Sequence, residues 1–294
     1  MFKGSIVAII TPFTENGLDE GTLRKLITLQ IESGTNGIVP CGTTGESPTL
    51  SPAEHNRVIE VTVEAVNKRV PVIAGTGSNS TAEAVMLTKH AAHVGADAAL
   101  VVTPYYNKPT QRGLYLHFKA VAESVDIPII LYNIAGRTAR NIETETVAKL
   151  NADCPNIVGV KEASGSLEQV KAVRQACGPD FIILSGDDAL TLPMMELGGT
   201  GVISVAANIV PEDIATLTRL YAEGKKDEAA ALDSKLKPLI NALFLETNPI
   251  PVKTAAELMG LAPGRLRLPL CEMEPTNLEK LKQALLEYGA LTTV

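Results

Sequence analysis

The sequence lacks a cluster of lysine or arginine residues, and its acidic residues outnumber its basic ones. Its 294 residues include 33 Asp and Glu against 26 Lys and Arg, which gives a formal net charge of −7 and a pI near 5.3. A protein whose main partner is nucleic acid or an anionic membrane usually carries concentrated positive charge. Neither partner is therefore expected, and a small-molecule ligand fits the composition better.

Long apolar runs are also missing. No stretch reaches the length needed to span a bilayer, and residues 1–3 lead into a strand-like run without the charged, apolar and small-residue series of a secretory signal. We therefore expect a cytoplasmic protein. Because 45% of the residues are hydrophobic, the chain has ample material for a substantial core.

Cysteine and histidine are scarce and scattered. The four cysteines form no C-x-x-C pair and have no histidine at zinc-ligand spacing, so we interpret them as structural thiols: Cys41, Cys154, Cys177 and Cys271. His90 and His93 lie one helical turn apart, but no third ligand is visible near them, so a solvated surface pair is the simpler interpretation. No metal site is predicted.

Apolar, β-branched runs of strand length recur eight times along the chain. They occupy residues 5–10, 37–40, 70–74, 98–102, 127–132, 157–161, 181–184 and 202–205. Segments with helical periodicity alternate with them, at residues 20–32, 52–67, 81–94, 111–124, 143–150, 166–176, 189–197 and 211–222. Ser51 and Glu54 resemble a capping box at the start of the second helix. Three glycines fall where the first, third and seventh helices should end: Gly34, Gly95 and Gly198.

This alternation predicts an α/β fold, a (β/α)8 TIM barrel over residues 1–224. A doubly wound open sheet is the alternative, but no G-x-G-x-x-G turn follows the first strand, where Thr-Pro-Phe stands at residues 11–13. The remaining residues, 225–294, contain no strand signal and two apolar helical stripes, the second opened by a capping box at Thr276 and Glu279. We therefore expect a C-terminal helical extension packed on the barrel.

Lys161 ends the sixth predicted strand, a short run suited to burial on both faces. Side chains alternate along a strand, so Lys161 shares a face with Gly159, which should leave space for a ligand beside the amine. A lysine in apolar surroundings is costly to keep charged, and its neutral amine is a nucleophile toward carbonyl carbon. Two interpretations follow, a Schiff-base former or a strand-end lysine whose amine simply reaches solvent.

The active site of such a barrel forms at the C-terminal ends of its strands, where this sequence places several polar residues. Tyr132 ends the fifth predicted strand, so it should point into one cavity with Lys161 from a strand about 5 Å away. A phenol beside an amine can move protons during imine chemistry. Arg137 offers a bidentate fork for a carboxylate, and the Gly-Thr-Thr-Gly turn at residues 42–45 offers N–H groups and hydroxyls for another. Alone, each signal is also consistent with ordinary packing or a solvated turn.

Six motifs spread over almost the whole chain carry a family resemblance. They are Gly-Thr-Thr-Gly-Glu-Ser at 42–47, Thr-Pro-Tyr-Tyr-Asn at 103–107, Leu-Tyr-Asn at 131–133, Gly-Val-Lys-Glu-Ala at 159–163, Ser-Gly-Asp-Asp at 185–188 and Asn-Pro-Ile-Pro-Val-Lys at 248–253. Together they resemble the pyruvate-dependent class I aldolase family of N-acetylneuraminate lyase and dihydrodipicolinate synthase, and its synthase branch specifically. The resemblance implies a (β/α)8 barrel with a Schiff-base lysine on its sixth strand and no cofactor.

The resemblance also implies a role for each matching residue. Lys161 would form the imine with pyruvate while Tyr132 shuttles protons. Thr43 and Tyr106 would complete that relay, with Tyr106 reaching in from a neighbouring subunit. Three positions would hold the bound pyruvate: Thr44 and the backbone around Gly186 and Ile203. Arg137 would bind the carboxylate of the second substrate, L-aspartate 4-semialdehyde. The product would be 4-hydroxy-tetrahydrodipicolinate, on the route to lysine and diaminopimelate, and the assembly would be a homotetramer of two dimers.

A further implication is that L-lysine binds as an inhibitor at a subunit interface. The matching positions are all polar: Ser47, His55, Asn79, Glu83 and Tyr105. Pro52 stands where some inhibited members have another histidine, so interface polar groups without a ligand are the alternative. A second departure is Ala135-Gly136, where members often have Pro-Ser. It implies a more mobile Arg137 loop and a changed affinity for the second substrate rather than lost activity.

Other functions on this fold stay open. Cleavage or dehydration of a sialic acid or keto-deoxy sugar acid uses the same imine, although Arg137 favours a partner that carries a carboxylate over a polyol. A barrel that binds a phosphorylated metabolite should have a glycine-rich loop after its seventh or eighth strand, where Gly-Asp-Asp and Ala-Asn-Ile-Val-Pro stand. A non-catalytic binding protein is hard to reconcile with Lys161 and Tyr132 together.

Overall fold

Eight short strands form a closed parallel barrel. The computed structural model describes residues 2–291. The barrel strands are β1 (Gly4–Ala8), β4 (Gly37–Val39), β5 (Ile73–Gly75), β6 (Ala98–Val102), β7 (Ile129–Asn133), β8 (Ile157–Glu162), β9 (Ile182–Ser185) and β10 (Gly201–Ser204). Strands β2 (Phe13–Thr14) and β3 (Gly17–Leu18) form a separate two-stranded hairpin. The hydrogen-bonded order is β4-β1-β10-β9-β8-β7-β6-β5, and a parallel bridge between Ile38 and Val72 joins the two ends. The predicted barrel is confirmed.

Helices cover the outside of this barrel and continue beyond its last strand. They are α1 (Glu20–Glu32), α2 (Pro52–Val66), α3 (Thr81–His93), α4 (Gln111–Ala122), α5 (Ala135–Thr138), α6 (Thr144–Asp153), α7 (Leu167–Cys177), α8 (Thr191–Glu196), α9 (Pro211–Ala222), α10 (Lys226–Ala242), α11 (Ile250–Leu258) and α12 (Pro275–Tyr288). Helices α10 to α12 form the predicted C-terminal extension, and their apolar side chains belong to the same buried cluster as those of β1, α1 and α2.

Most predicted boundaries lie within two residues of the observed ones, although the fifth predicted helix, α6, ends at Asp153 rather than at residue 150. The third barrel strand begins at Ile73 rather than at residue 70, because Pro71 has no N–H to continue the ladder. The seventh predicted helix corresponds to α8, which is preceded by a 3-10 turn at Asp188–Leu190. In this turn the Asp187 carboxylate accepts from the Ala189 N–H. The hairpin β2–β3 and the short helix α5 were not predicted at all.

Helix caps follow the sequence signals in all but one place. The Ser51–Glu54 capping box is present, and glycines with positive φ follow α1, α3 and α8 as predicted. The capping box predicted at Thr276 is wrong. Helix α12 begins one residue earlier, at Pro275, whose fixed φ suits the first helical position.

The barrel interior is filled by apolar side chains from alternate strand positions. They include Ile6, Ala8, Val39, Ile73, Ala98, Leu100, Ile130, Tyr132, Leu184 and Ile203. The prediction that Gly159 leaves free space beside Lys161 is wrong, because a Cβ at Gly159 would lie 2.5 Å from the carbonyl oxygen of Ile182 on β9. This glycine instead lets two neighbouring strands approach closely.

A buried ion pair fastens the C-terminal extension to the barrel. Lys253 on α11 and Glu46, which follows β4, are both fully buried, and the Lys253 Nζ lies 2.6 Å from a Glu46 carboxylate oxygen. The same Nζ donates to the Thr11 carbonyl at 2.9 Å and lies 4.4 Å from the centre of the Phe13 ring. Burial lowers the pKa of Lys253, and the Glu46 carboxylate opposes that shift.

The cysteines and the histidine pair show no arrangement for chemistry. Cys41 is buried and burial raises the pKa of its thiol, while His90 lies 3.2 Å from Glu60 and His93 is exposed. Within residues 2–291, no group of three or more His, Cys, Asp or Glu is placed to hold a metal ion. In the same part of the chain, no helix has both the length and the apolar character to cross a bilayer.

A second ion pair between the extension and the barrel gives a pH prediction. Arg267 donates through two nitrogens to the Glu54 carboxylate, which lowers the pKa of Glu54 from 4.5 to about 2. A carboxyl with a lowered folded-state pKa contributes its full stability above 4.5 and loses it as the pH falls toward 2. In Arg267→Met, we therefore expect the stability deficit relative to wild type to shrink by about 1 kcal/mol between pH 6 and pH 3.

Urea unfolding at several pH values measures this difference. Arg265→Met is the matched control, because its partner Glu15 is 86% exposed and such a pair contributes little. If the Arg267→Met and wild-type stability profiles run parallel from pH 6 to pH 3, the assignment of this acid sensitivity to Glu54 is wrong.

Candidate active site

Lys161 and Tyr132 lie side by side at the C-terminal ends of neighbouring strands. They are register partners in the β7–β8 pair, and the Lys161 Nζ lies 4.3 Å from the centre of the Tyr132 ring. Lys161 is only 6% exposed. Of the two interpretations that the sequence left open, this burial favours a lysine whose amine points inward over one that reaches solvent.

Gly186, after β9, packs directly against the stem of this lysine. A Cβ at Gly186 would lie 2.9 Å from Lys161 Cε and 2.6 Å from the Ala163 Cβ, so no larger residue fits without moving the lysine. Ile203 on β10 belongs to the same interior cluster as Tyr132. The structure thus places two of the predicted site residues, Gly186 and Tyr132, directly against the lysine.

A cavity of about 230 Å³ opens above the barrel beside Tyr132. Thr43 and Arg137 line it together with Tyr132, and so do Ser47 and Tyr105 from the predicted inhibitor set. A larger groove of about 620 Å³ lies at the opposite end, near Gly4 and Thr200, where the barrel strands begin. Active sites of these barrels lie at the other face, so the smaller cavity is the candidate site.

Two predicted carboxylate binders, Thr44 and Arg137, both contact Asn248. Thr44 is buried, and its Oγ1 accepts from the Asn248 Nδ2 at 3.0 Å. The Arg137 Nη2 donates to the Asn248 main-chain carbonyl, also at 3.0 Å. Arg137 lies in the helical turn α5, so its loop has regular hydrogen bonds despite Gly136. The greater mobility expected there stays a prediction.

Tyr106 is the one predicted relay residue that the single chain leaves apart. It is 88% exposed, and it does not line the cavity that Thr43 and Tyr132 share. Its φ of +70° is an unfavourable conformation for a residue with a Cβ. The intact relay is therefore not assembled within one chain.

Only two of the predicted inhibitor residues, Ser47 and Tyr105, line the cavity. Burial and the nearby Glu83 carboxylate raise the pKa of Tyr105, and Glu83 also accepts from the Ser78 hydroxyl. His55 is buried, and this burial lowers its pKa to about 4. The Asn79 carbonyl accepts from the Asn107 side chain at 2.8 Å.

The carboxylate of Asp188 accepts hydrogen bonds from the end of β10, the last barrel strand, and from the loop that follows it. It accepts from the Ser204 hydroxyl, from the Val205 N–H at 2.9 Å and from the Ala206 N–H at 3.3 Å. Burial raises the pKa of Asp188, against these hydrogen bonds. Phosphate-binding barrels use N–H groups of this region for their ligand. Here an internal carboxylate already occupies them.

Three polar residues near the site escaped the sequence interpretation: Glu46, Asn248 and Lys253. All three lie within motifs that the sequence made visible. The signal was a lysine and an asparagine in the otherwise apolar Asn-Pro-Ile-Pro-Val-Lys stretch, where a buried charge requires a partner.

Comparisons with known proteins agree with this geometry. The model of the dihydrodipicolinate synthetase family matches residues 1–288. A 4-hydroxy-tetrahydrodipicolinate synthase of Syntrophus aciditrophicus is 60% identical over 99% of this chain and 100% of its own length.

Two solved structures with bound small molecules also superimpose closely. The chloride-inhibited dihydrodipicolinate synthase of Acinetobacter baumannii, complexed with pyruvate, has a TM-score of 0.96 and 48% identity, covering 99% of this chain and 100% of that one. The Cyanidioschyzon merolae enzyme with lysine bound has a TM-score of 0.96 and 44% identity, covering 99% of each chain. From its fold, its site and these matches, the chain belongs to the dihydrodipicolinate synthetase family.

Proposed function

We propose that this chain condenses pyruvate with L-aspartate 4-semialdehyde through a Schiff base on Lys161. The product is 4-hydroxy-tetrahydrodipicolinate, which enters the biosynthesis of diaminopimelate and lysine. The observation that carries the proposal is the buried Lys161 amine held against Tyr132 at the barrel mouth. The name of the relative from Syntrophus aciditrophicus, 4-hydroxy-tetrahydrodipicolinate synthase, supports the proposed product.

The reaction begins at the Lys161 amine and needs no cofactor. The amine attacks C2 of pyruvate, water leaves, and a protonated imine forms. Loss of a methyl proton gives an enamine, whose carbon attacks the aldehyde of the second substrate. The amine of that substrate then attacks the imine carbon and displaces Lys161, which closes the ring. Overall, one pyruvate and one semialdehyde give one product and one water.

Tyr132 supplies and accepts the protons in these steps. Thr43 shares its cavity, and Tyr106 of a second copy completes the relay. The 88% exposure and positive φ of Tyr106 support this role, since a protruding tyrosine in a strained conformation is suited to reach a partner. The assembly we propose is a homotetramer of two such dimers in the cytoplasm.

The substrate carboxylates are assigned to separate groups. Thr44, with the backbone around Gly186 and Ile203, holds the pyruvate, while Arg137 holds the carboxylate of the semialdehyde. The burial of Thr44 and the opening of Arg137 onto the cavity support this division. We assign residues 1–224 to the catalytic barrel and residues 225–294 to its extension; the structure describes residues 2–291 of this range.

L-lysine is proposed as an inhibitor bound near the mouth of the cavity. Ser47 and Tyr105 line that cavity, and Glu83 supplies a carboxylate for an ammonium group. His55 lies on α2, and Asn79 lies in the segment just before α3. The lysine-bound relative from Cyanidioschyzon merolae supports an amino-acid ligand.

Two assays test the proposed reaction. Borohydride reduction after incubation with pyruvate should add a reduced pyruvyl group to the peptide that contains Lys161. Mass spectrometry should then show the condensation product when L-aspartate 4-semialdehyde is added. If the chain instead cleaves a sialic acid or keto-deoxy sugar acid, it should release pyruvate from that compound faster than it condenses pyruvate with the semialdehyde. That result would replace the proposed substrate while keeping the imine.

A further inference from the structure

Asn248 lies at the junction between the C-terminal extension and the barrel mouth. It stands between α10 and α11 and is buried. Its side chain donates to Thr44 Oγ1, 204 residues earlier in the chain, and its carbonyl accepts from Arg137, 111 residues earlier. One residue thus contacts both groups that the proposed function assigns to the two substrate carboxylates.

The direction of the Asn248–Thr44 hydrogen bond matters for substrate binding. A hydroxyl has a single hydrogen to donate. Because Thr44 Oγ1 accepts from the Asn248 amide, this bond does not use the hydrogen of the Thr44 hydroxyl. The Thr44 hydroxyl is thereby prepared to donate to a carboxylate, which accepts hydrogen bonds only.

The contact with Arg137 works through the main chain. One N–H of the guanidinium donates to the Asn248 carbonyl, which anchors one side of the group. The other N–H groups of the fork stay available for a carboxylate. A side-chain substitution at position 248 leaves this carbonyl in place, so the two contacts can be tested separately.

The buried ion pair keeps Asn248 in position relative to Thr44. Lys253 follows Asn248 by five residues in the chain, and Glu46 follows Thr44 by two. The 2.6 Å contact between Lys253 and Glu46 therefore holds the same two segments together at a second point. Two fixed points define the orientation of one segment against the other.

We propose that Asn248 is a positioning residue that orients the Thr44 hydroxyl toward pyruvate and the Arg137 guanidinium toward the second substrate. Resting on the proposed function, this assigns to the C-terminal extension a part in substrate recognition.

Steady-state kinetics of Asn248→Ala and Asn248→Asp test the proposal. In Asn248→Ala, the KM for pyruvate should rise about tenfold, the effect of one lost hydrogen bond, while the KM for the semialdehyde changes much less. Asn248→Asp should raise the KM for pyruvate more, by about 30-fold or beyond, because its carboxylate takes the Thr44 hydrogen and repels the substrate carboxylate. A role in packing alone predicts the opposite order, since aspartate has the size of asparagine and alanine does not.

A double-mutant cycle shows whether the effect passes through Thr44. In a Thr44→Val background, Asn248→Ala should change the KM for pyruvate by less than about twofold, because the partner is already absent. Asn241→Ala, the same substitution at an exposed site on α10, is the control and should leave kinetics unchanged. Thermal unfolding of every variant accompanies the kinetics. If Asn248→Ala does not fold, the comparison of Asn248→Asp with wild type decides the question, because it preserves side-chain volume.

The outcomes separate this inference from the function on which it rests. If the wild-type protein forms no borohydride-trapped adduct with pyruvate, the proposed function fails. If the wild type forms the adduct but Asn248→Asp binds pyruvate as well as the wild type or better than Asn248→Ala, the positioning role is overturned. Additive effects of Thr44→Val and Asn248→Ala would overturn it too.

Discussion

Replacing Lys161 by methionine is expected to lower kcat/KM by about 10⁵-fold, which corresponds to about 7 kcal/mol of transition-state stabilisation. The reason is that Lys161 is the buried amine that lies against Tyr132, and without its imine the enamine is not generated on the enzyme. Methionine keeps the unbranched stem that packs against Gly186 and removes only the nucleophile. The fold should therefore stay intact. Continuous product assays with both substrates measure the loss.

The control for this experiment is Lys171→Met, an exposed lysine on α7. It should retain wild-type kinetics and the borohydride-trapped adduct, whereas Lys161→Met should lose both. Retention of a trapped adduct in Lys161→Met would place the imine on another lysine. Retention of activity without an adduct would mean that catalysis does not use a covalent intermediate.

Lys253→Met should lower the free energy of unfolding by about 3–5 kcal/mol, the cost of removing one partner of a buried ion pair. Glu46 would keep its charge inside the protein with two remaining hydrogen bonds, from the Arg267 main-chain N–H at 3.1 Å and from the Thr49 hydroxyl at 3.5 Å. The Thr11 carbonyl would lose its donor as well. Urea unfolding at neutral pH measures the change. Because Glu46 lies two residues from Thr44, we also expect weaker pyruvate binding.

Two further variants give this prediction its controls. Glu46→Gln combined with Lys253→Met removes both charges, so it should recover part of the loss. Lys149→Met breaks an ion pair in which the lysine is 60% exposed, and it should cost less than about 1 kcal/mol. Equal losses in Lys253→Met and Lys149→Met would show that burial does not strengthen the Lys253–Glu46 pair.

The sequence was sufficient for the barrel because its signals are local. Strand and helix segments alternate along the chain, and the apolar periodicity of each is recognised within a window of about ten to fifteen residues. The neighbouring positions of Tyr132 and Lys161 followed from that order alone, since consecutive strands of such a barrel are adjacent. Small errors came from single residues: Pro71 shortened β5, and Pro275 moved the start of α12.

The surroundings of the lysine were harder to predict because they depend on distant parts of the chain. Ile182 fills the place where Gly159 suggested a ligand, and only the β8–β9 register reveals this. Asn248 reaches Thr44 across 204 residues, and Lys253 reaches Glu46 across 207. No window of local periodicity contains both partners. What the sequence did offer was a lysine in an apolar motif, which is a reason to search for a distant carboxylate.

The long separation between Glu46 and Lys253 also sets an order of events during protein synthesis. A ribosome releases Glu46 early, and the eighth barrel strand has left it well before Lys253 appears. The barrel can thus pair its strands, including β1 with β10, while the carboxylate beneath its mouth still lacks a cation. Water must keep that carboxylate solvated until α11 docks. All eight barrel strands are therefore synthesised before the helix that supplies the cation for Glu46.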